Sequence, residues 1–202
     1  METITETKAQ RAERLKRELN PWEAYDEIVR FAREGRDAIT HEWLKTYMRW
    51  WGVYTQGDGA GVVGGSSGSS GEGKSTPYFM VRIRIPNGVV DATQVKTVAT
   101  LAERHGRGVV DLTVRQNFQL HWVTIESLPE VMETLRASGI TTMGACGDVT
   151  RNVVGCPLAG VDDGELIDAS PLVASVSALL NGHPDFYNLP RKFKVSIAGC
   201  RS

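Results

Sequence analysis

Residues 78–86 read YFMVRIRIP, and their strict alternation marks a strand. Phe79, Val81, Ile83 and Ile85 fall on one face and Met80, Arg82 and Arg84 on the other, because side chains alternate along an extended chain. Downstream, Asp91 and Gln94 have the spacing of a capping box, and Val95, Val98, Ala99 and Ala102 recur at helical intervals before Gly106. VVDLTVR (109–115) and FQLHWVT (118–124) read as two strands joined by a tight turn at Gln116 and Asn117. Leu128, Val131, Met132 and Leu135 mark a second helix stopped by Gly139, with a last strand expected near Ile140. Strand, helix, strand, strand, helix, strand is the ferredoxin-like split βαβ order, so the chain is assigned to the α+β class.

Upstream, residues 5–34 read as two helices, the second with Asn20 as N-cap, Pro21 at its first position and Gly35 beyond its end. Trp22, Tyr25, Ile28, Val29 and Ala32 form an apolar stripe suited to packing. The run GDGAGVVGGSSGSSGEG (57–73) offers nothing to bury and reads as a loop. Beyond Gly144 the chain is loop-rich, with a helix over 170–181 and a final strand entered through the basic segment NLPRKFK. Four segments result: helical 1–56, Gly/Ser-rich 57–77, ferredoxin-like 78–143, and 144–202.

Over its 202 residues Lys+Arg 23 nearly balance Asp+Glu 24, which excludes a generally basic nucleic-acid binder and leaves room for a local cationic site. No apolar run approaches the roughly 20 residues that span a bilayer, and the charged start is unlike a signal peptide. A cytoplasmic protein without membrane or nucleic-acid partners is expected. Cys146, Cys156 and Cys200 form no CxxC pair, so neither a disulfide framework nor a metal site is assigned.

GSSGEGKS (68–75) matches the P-loop string GxxxxGK[ST]. A phosphate cradle needs a strand before the loop and a helix starting at its lysine. Here a Gly/Ser run precedes Lys74 and a strand follows Pro77, so the match is read as chance. Nucleotide binding lost on Lys74→Ala would reverse that.

The basic residues of the second half are harder to dismiss. Arg82, Arg84, Arg115, Arg151, Arg191, Lys192 and Lys194 sit on strands, at a turn and in two loops. Singly each suits a solvated face or a surface ion pair. Together they suggest an anion site, since arginine forks match paired oxygens and lysine adds a compact charge and a transferable proton.

MVRIRIPNGVV (80–90), TVRQNFQLHW (113–122), GACGDVTRNVVGCPLAG (144–160) and NLPRKFKVSIAGCR (188–201), in this order, resemble the siroheme-containing nitrite and sulfite reductase family, with a weaker likeness in WWGVYTQGDG (50–59). The resemblance implies reduction of sulfite to sulfide or nitrite to ammonia on siroheme bridged to a [4Fe-4S] cluster, so residues 144–202 would begin the siroheme/[4Fe-4S] domain. It places Arg82, Arg151, Lys192 and Lys194 facing the substrate, to bind the anion, polarise its oxygens and relay protons. Arg84, Arg115, Gln119, His121, Asn152 and Arg191 would hold siroheme carboxylates or form the pocket wall. His121 is not expected as an axial ligand, because the family gives that side of the iron to a cluster cysteine. His41, His105 and His183 carry no signal.

Lys194 favours sulfite, since sulfite-reducing relatives carry lysine there and plant-type nitrite reductases asparagine, and sulfite brings more charge to neutralise. The electron donor is expected to be ferredoxin or a flavoprotein. The family's cluster cysteines fall after the PRKFK segment, outside this chain, so a missing C-terminal half is expected, and these residues alone are expected to be inactive. Their last strand is expected to lack a partner and to promote aggregation. The alternative from another class is a non-catalytic ferredoxin-like binding module.

Overall fold

In a computed structural model of the chain, residues 6–56 and 77–201 are described. The Gly/Ser run and the P-loop-like string fall outside them, apart from Pro77 at the edge of that segment.

Thr7 and Gln10 cap helix α1 (Lys8–Glu18) reciprocally. Asn20 accepts from the Trp22 N–H at 3.0 Å and opens a single 3-10 turn at Pro21. Helix α2 (Tyr25–Glu34) follows and ends at Gly35, whose φ of 91° suits glycine. Ile28 and Phe31 are its buried side chains and Tyr25 packs against the same core, so the expected stripe is kept at Tyr25 and Ile28 and extended by Phe31. Two short helices, α3 (His41–Lys45) and α4 (Tyr47–Trp50), lead into strand β1 (Val53–Thr55).

Strand β2 (Phe79–Ile83), helix α5 (Ala92–His105), strands β3 (Val110–Leu112) and β4 (Phe118–Val123), and helix α6 (Leu128–Ala137) follow as expected. The Asp91–Gln94 capping box is formed. The sheet is antiparallel in the order β1-β2-β4-β3. The place expected for a strand near Ile140 is filled differently. Only a bridge from Thr141 to Arg84 remains there, with the Arg84 N–H donating to the Thr141 carbonyl at 2.8 Å. The fourth strand is β1, from the helical front, paired with β2 through Val53 and Val81. The turn between β3 and β4 centres on Val114 and Arg115, closed by Gln116 N–H to the Thr113 carbonyl at 2.9 Å.

One sheet face is the core. Phe79, Val81, Ile83, Leu120 and Val123 pack with Val98, Leu101, Val131 and Leu135 from α5 and α6, and with Ile28 and Phe31 from α2. The other face carries Arg82 opposite Gln119. At the end of the chain, strand β5 (Val154–Gly155) pairs in parallel with β6 (Ser196–Ile197), beside helix α7 (Ser170–Leu180). The last strand therefore has a partner, contrary to expectation. No described helix is long and apolar enough to cross a membrane.

Candidate functional site

A cavity of about 470 Å³ opens where the polar sheet face meets the loops after α6. Arg82 reaches it from β2, Arg115 from the β3–β4 turn, and Arg151 and Asn152 from the loop before β5. Arg191, Lys192 and Lys194 enter from the segment before β6. That segment is bound to the loop by Arg151 N–H to the Phe193 carbonyl at 3.0 Å, Val154 N–H to Val195 at 3.2 Å and Leu189 N–H to Asp148 at 2.7 Å. Lys192 sits at φ 63° in the turn closed by Phe193 N–H to the Pro190 carbonyl. Such strain in a residue with a side chain concentrates at functional sites.

Neutral groups aim the arginine of β2. Arg82 donates from Nε and Nη2 to Gln119 Oε1 at 3.1 and 2.8 Å, and from Nη1 to the Tyr54 hydroxyl at 2.9 Å. Three of the five guanidinium N–H groups are thus used, and the charge meets no carboxylate. Asn152 Nδ2 donates to the Ile85 carbonyl at 2.6 Å and to that of Arg115 at 2.8 Å, fixing the Arg115 turn against β2. Arg151 is 9% exposed and its Nε has no hydrogen-bond partner. A buried guanidinium N–H without an acceptor is costly unless a ligand supplies one.

Counting Lys45 and Arg49 from α3 and α4, eight basic side chains among the described residues line the cavity, and no described Asp or Glu does. Elsewhere several cations are paired locally, as in Arg11–Glu42, Arg30–Glu27 and Arg104–Glu130. Burial, then Arg151 and Arg82, pull the Arg115 pKa below its usual value. Burial and the Cys146 sulfur push the Tyr54 hydroxyl up to about 12, so it stays protonated as a donor. For Cys146, burial acts upward but is outweighed by Arg151, the Tyr54 hydroxyl and the Gly147 backbone, and the thiol lies below its ordinary value. Tyr54, Cys146, Lys45 and Arg49 are lining residues that the sequence reading did not select. WWGVYTQGDG and GACGDVT held the first two in view without a reason to choose them.

Three expected residues do not line the cavity. Arg84 is 1% exposed and turned away, with Nη1 on Asn181 Oδ1 at 2.7 Å and Nη2 on the Ser177 hydroxyl at 3.3 Å. Its proximity in sequence to Arg82 fixed the face but not the depth. Gln119 is buried and acts through Arg82. His121 is 3% exposed, with Nε2 2.9 Å from the Asp111 carboxylate across β3.

Two models of one family match the chain: the nitrite/sulfite reductase ferredoxin-like half domain over residues 72–138 and the nitrite and sulphite reductase 4Fe-4S domain over residues 146–202. It is 38% identical over 170 residues to a protein named sulfite reductase [ferredoxin] 2 from Mycolicibacterium paratuberculosis, covering 84% of this chain and 30% of that protein. It is 35% identical over 207 residues to an assimilatory ferredoxin-dependent nitrite reductase from Haloferax mediterranei, covering 96% of this chain and 33% of the relative. The solved structure of Mycobacterium tuberculosis NirA superposes with a TM-score of 0.83 at 34% identity, over 93% of this chain and 35% of that one. The α+β fold is thus shared with that structure, and the chain belongs to the nitrite and sulfite reductase family. It spans about a third of the length of the relatives it matches.

Proposed function

We propose that the protein carrying this chain is a siroheme-dependent sulfite reductase of the cytoplasm, with siroheme and a [4Fe-4S] cluster as cofactors and ferredoxin as electron donor. The observation that carries this is the cavity that, among the described residues, is lined by eight basic side chains and no carboxylate. Such a site fits a small oxyanion beside a macrocycle that bears several carboxylates, and the partnerless Arg151 Nε awaits an acceptor of that kind. Residues 78–143 serve as the ferredoxin-like half-domain, 144–202 as the start of the siroheme/[4Fe-4S] domain and 1–56 as the helical front.

When bound, siroheme and its cluster would pass to the oxyanion the electrons that reduced ferredoxin provides. Arg82, Arg151, Lys192 and Lys194 hold the oxyanion, and preorganised cations of this kind stabilise charge that develops on its oxygens. Arg82 needs no reorientation, because Gln119 and Tyr54 already fix its plane. The Nζ groups of Lys192 and Lys194 give protons to oxygens leaving as water. Arg115 and Arg191 would hold carboxylates of the siroheme, while Asn152, both of whose Nδ2 hydrogens are used, positions the Arg115 turn. Arg84 and His121 support the fold around the site.

Relatives named for sulfite and for nitrite both match, so nitrite is the second substrate considered; Lys194, the more cationic choice, favours sulfite. The test is electron counting with the natural gene product, reduced ferredoxin and sulfite. Sulfide should form, and Arg151→Gln or Lys192→Gln should lower kcat/KM by roughly a hundredfold. A loaded protein that turns over neither sulfite nor nitrite contradicts the proposal.

A further inference from the structure

The segment that carries Arg191, Lys192 and Lys194 has no helix or strand of its own between Phe186 and Ser196, so hydrogen bonds to its neighbours hold it in place. On one side it is bound to the loop before β5, through Asp148, Arg151 and Val154. On the other side its partners come from the helical front, 137 to 172 residues earlier in the chain. Trp22 donates from Nε1 to the His183 carbonyl at 3.1 Å, and Trp50 from Nε1 to the Tyr187 carbonyl at 2.9 Å. Lys16 Nζ donates to Asn188 Oδ1 at 2.6 Å, and Asn188 Nδ2 donates back to Glu13 Oε2 at 2.8 Å on the same helix.

Lys16 is the node of this contact. It is 2% exposed, and Nζ gives its three N–H groups to Asn188, to Asp148 Oδ2 at 3.1 Å and to Glu13. Asp148 belongs to the loop that carries Arg151, and Asn188 to the segment that carries Lys192 and Lys194. One ammonium therefore ties both walls to α1. It lies 5.9 Å from the centre of the Trp50 ring, and a Cβ on Gly147 would come within 2.6 Å of that ring, so the packing behind the loop has no slack. Replacing a buried ion pair by apolar groups is often neutral or stabilising, so stability is a poor account of an ammonium here. What it offers and an apolar side chain lacks is direction, three donors that fix the two walls at one separation.

We propose that Lys16 and Trp50 are positioning residues for the reaction, forming a clasp by which the helical front sets the spacing between the Arg151 loop and the Lys192–Lys194 segment. This rests on the roles given above to Arg151, Lys192 and Lys194. Neither Lys16 nor Trp50 lines the main cavity, so the effect passes through the backbone of its two walls. Rate falls steeply when groups that act together lose their mutual geometry.

The experiment compares wild type, Lys16→Met and Lys16→Met/Asp148→Asn in the natural gene product loaded with its cofactors. The kcat/KM for sulfite is expressed per bound siroheme, and the melting temperature is read in parallel. Lys16→Met should lower kcat/KM roughly tenfold, because Asn188 and Asp148 lose their common partner. The double variant removes the unpaired charge left on the partly buried Asp148, so its melting temperature should return toward wild type while kcat/KM stays low. A merely structural contact would behave otherwise: kcat/KM recovering together with the melting temperature, or a folded Lys16→Met with wild-type kcat/KM, overturns the proposal. Should Lys16→Met not fold, Trp50→Phe decides, since it deletes the Nε1 donor and keeps an aromatic ring in the wall. A severalfold fall in kcat/KM then supports the clasp, and an unchanged value overturns it. A wild type that turns over neither sulfite nor nitrite overturns instead the reading of the cavity on which the clasp depends.

Discussion

Arg84 is the largest side chain fully buried in the fold. Burial pulls its pKa down to about 10, so it remains a cation at neutral pH, held by Asn181, Ser177 and the Thr150 carbonyl at 3.4 Å. Removing it leaves those polar groups without a partner and a void behind them. Arg84→Leu should cost roughly 2–4 kcal/mol, read as a fall of several degrees in melting temperature; an unchanged melting temperature would contradict the structural role. Two residues away, Arg82 keeps free N–H groups toward the cavity. Alternation along YFMVRIRIP revealed that the two share a face. It could not reveal that the chain after α6 covers one and leaves the other open. A second residue-scale prediction concerns Cys146, whose thiol lies below its usual pKa of 9. Alkylation by iodoacetamide should titrate with an apparent pKa under 9, and Arg151→Gln should move it upward, as followed by mass spectrometry. The folded chain binds fewer protons at Cys146 than the unfolded chain, so this contribution to stability is full above the ordinary thiol pKa and is lost as pH falls through the lowered one.

At the scale of elements, local signals were legible and pairing was not. The Asp91 cap of α5 depends on residues three apart, and it formed as the spacing required; Asp91→Ala should cost about 1 kcal/mol in a denaturant titration. β1 is three residues long, too short for periodicity to show, and it occupies the edge that the split βαβ pattern gave to a later segment. Its place depends on contacts from far apart in sequence, among them Arg82 N–H to the Gly52 carbonyl at 2.9 Å. Lys16 does the same for α1, binding residues of the 148 loop and of the segment before β6. Nothing in METITETKAQRAERLKREL singles out that lysine from its neighbours. Lys16→Met should loosen α1, so that trypsin cleaves after Arg14 or Arg17 faster than in wild type, while the Lys16→Met/Asp148→Asn pair should lose less stability than the two single changes summed. Strict additivity would argue against the clasp.

For the molecule as a whole, a formal net charge of −1 hides a strong local asymmetry. Acidic side chains neutralise the helices, and the cavity keeps its positive charge uncompensated. The composition could not show this; the four ordered segments did, because each carries one wall of the cavity. Focused positive potential should speed capture of an anion and weaken with salt, so the affinity for sulfite should fall severalfold between about 50 and 300 mM salt. The most direct test of the central claim is a visible absorption titration of the natural gene product with sulfite and then nitrite, in wild type and in Lys194→Asn. The siroheme bands should shift with sulfite at lower concentration than with nitrite, and the preference should be reduced or reversed in the variant. A colourless protein, or bands that respond to neither anion, would contradict it.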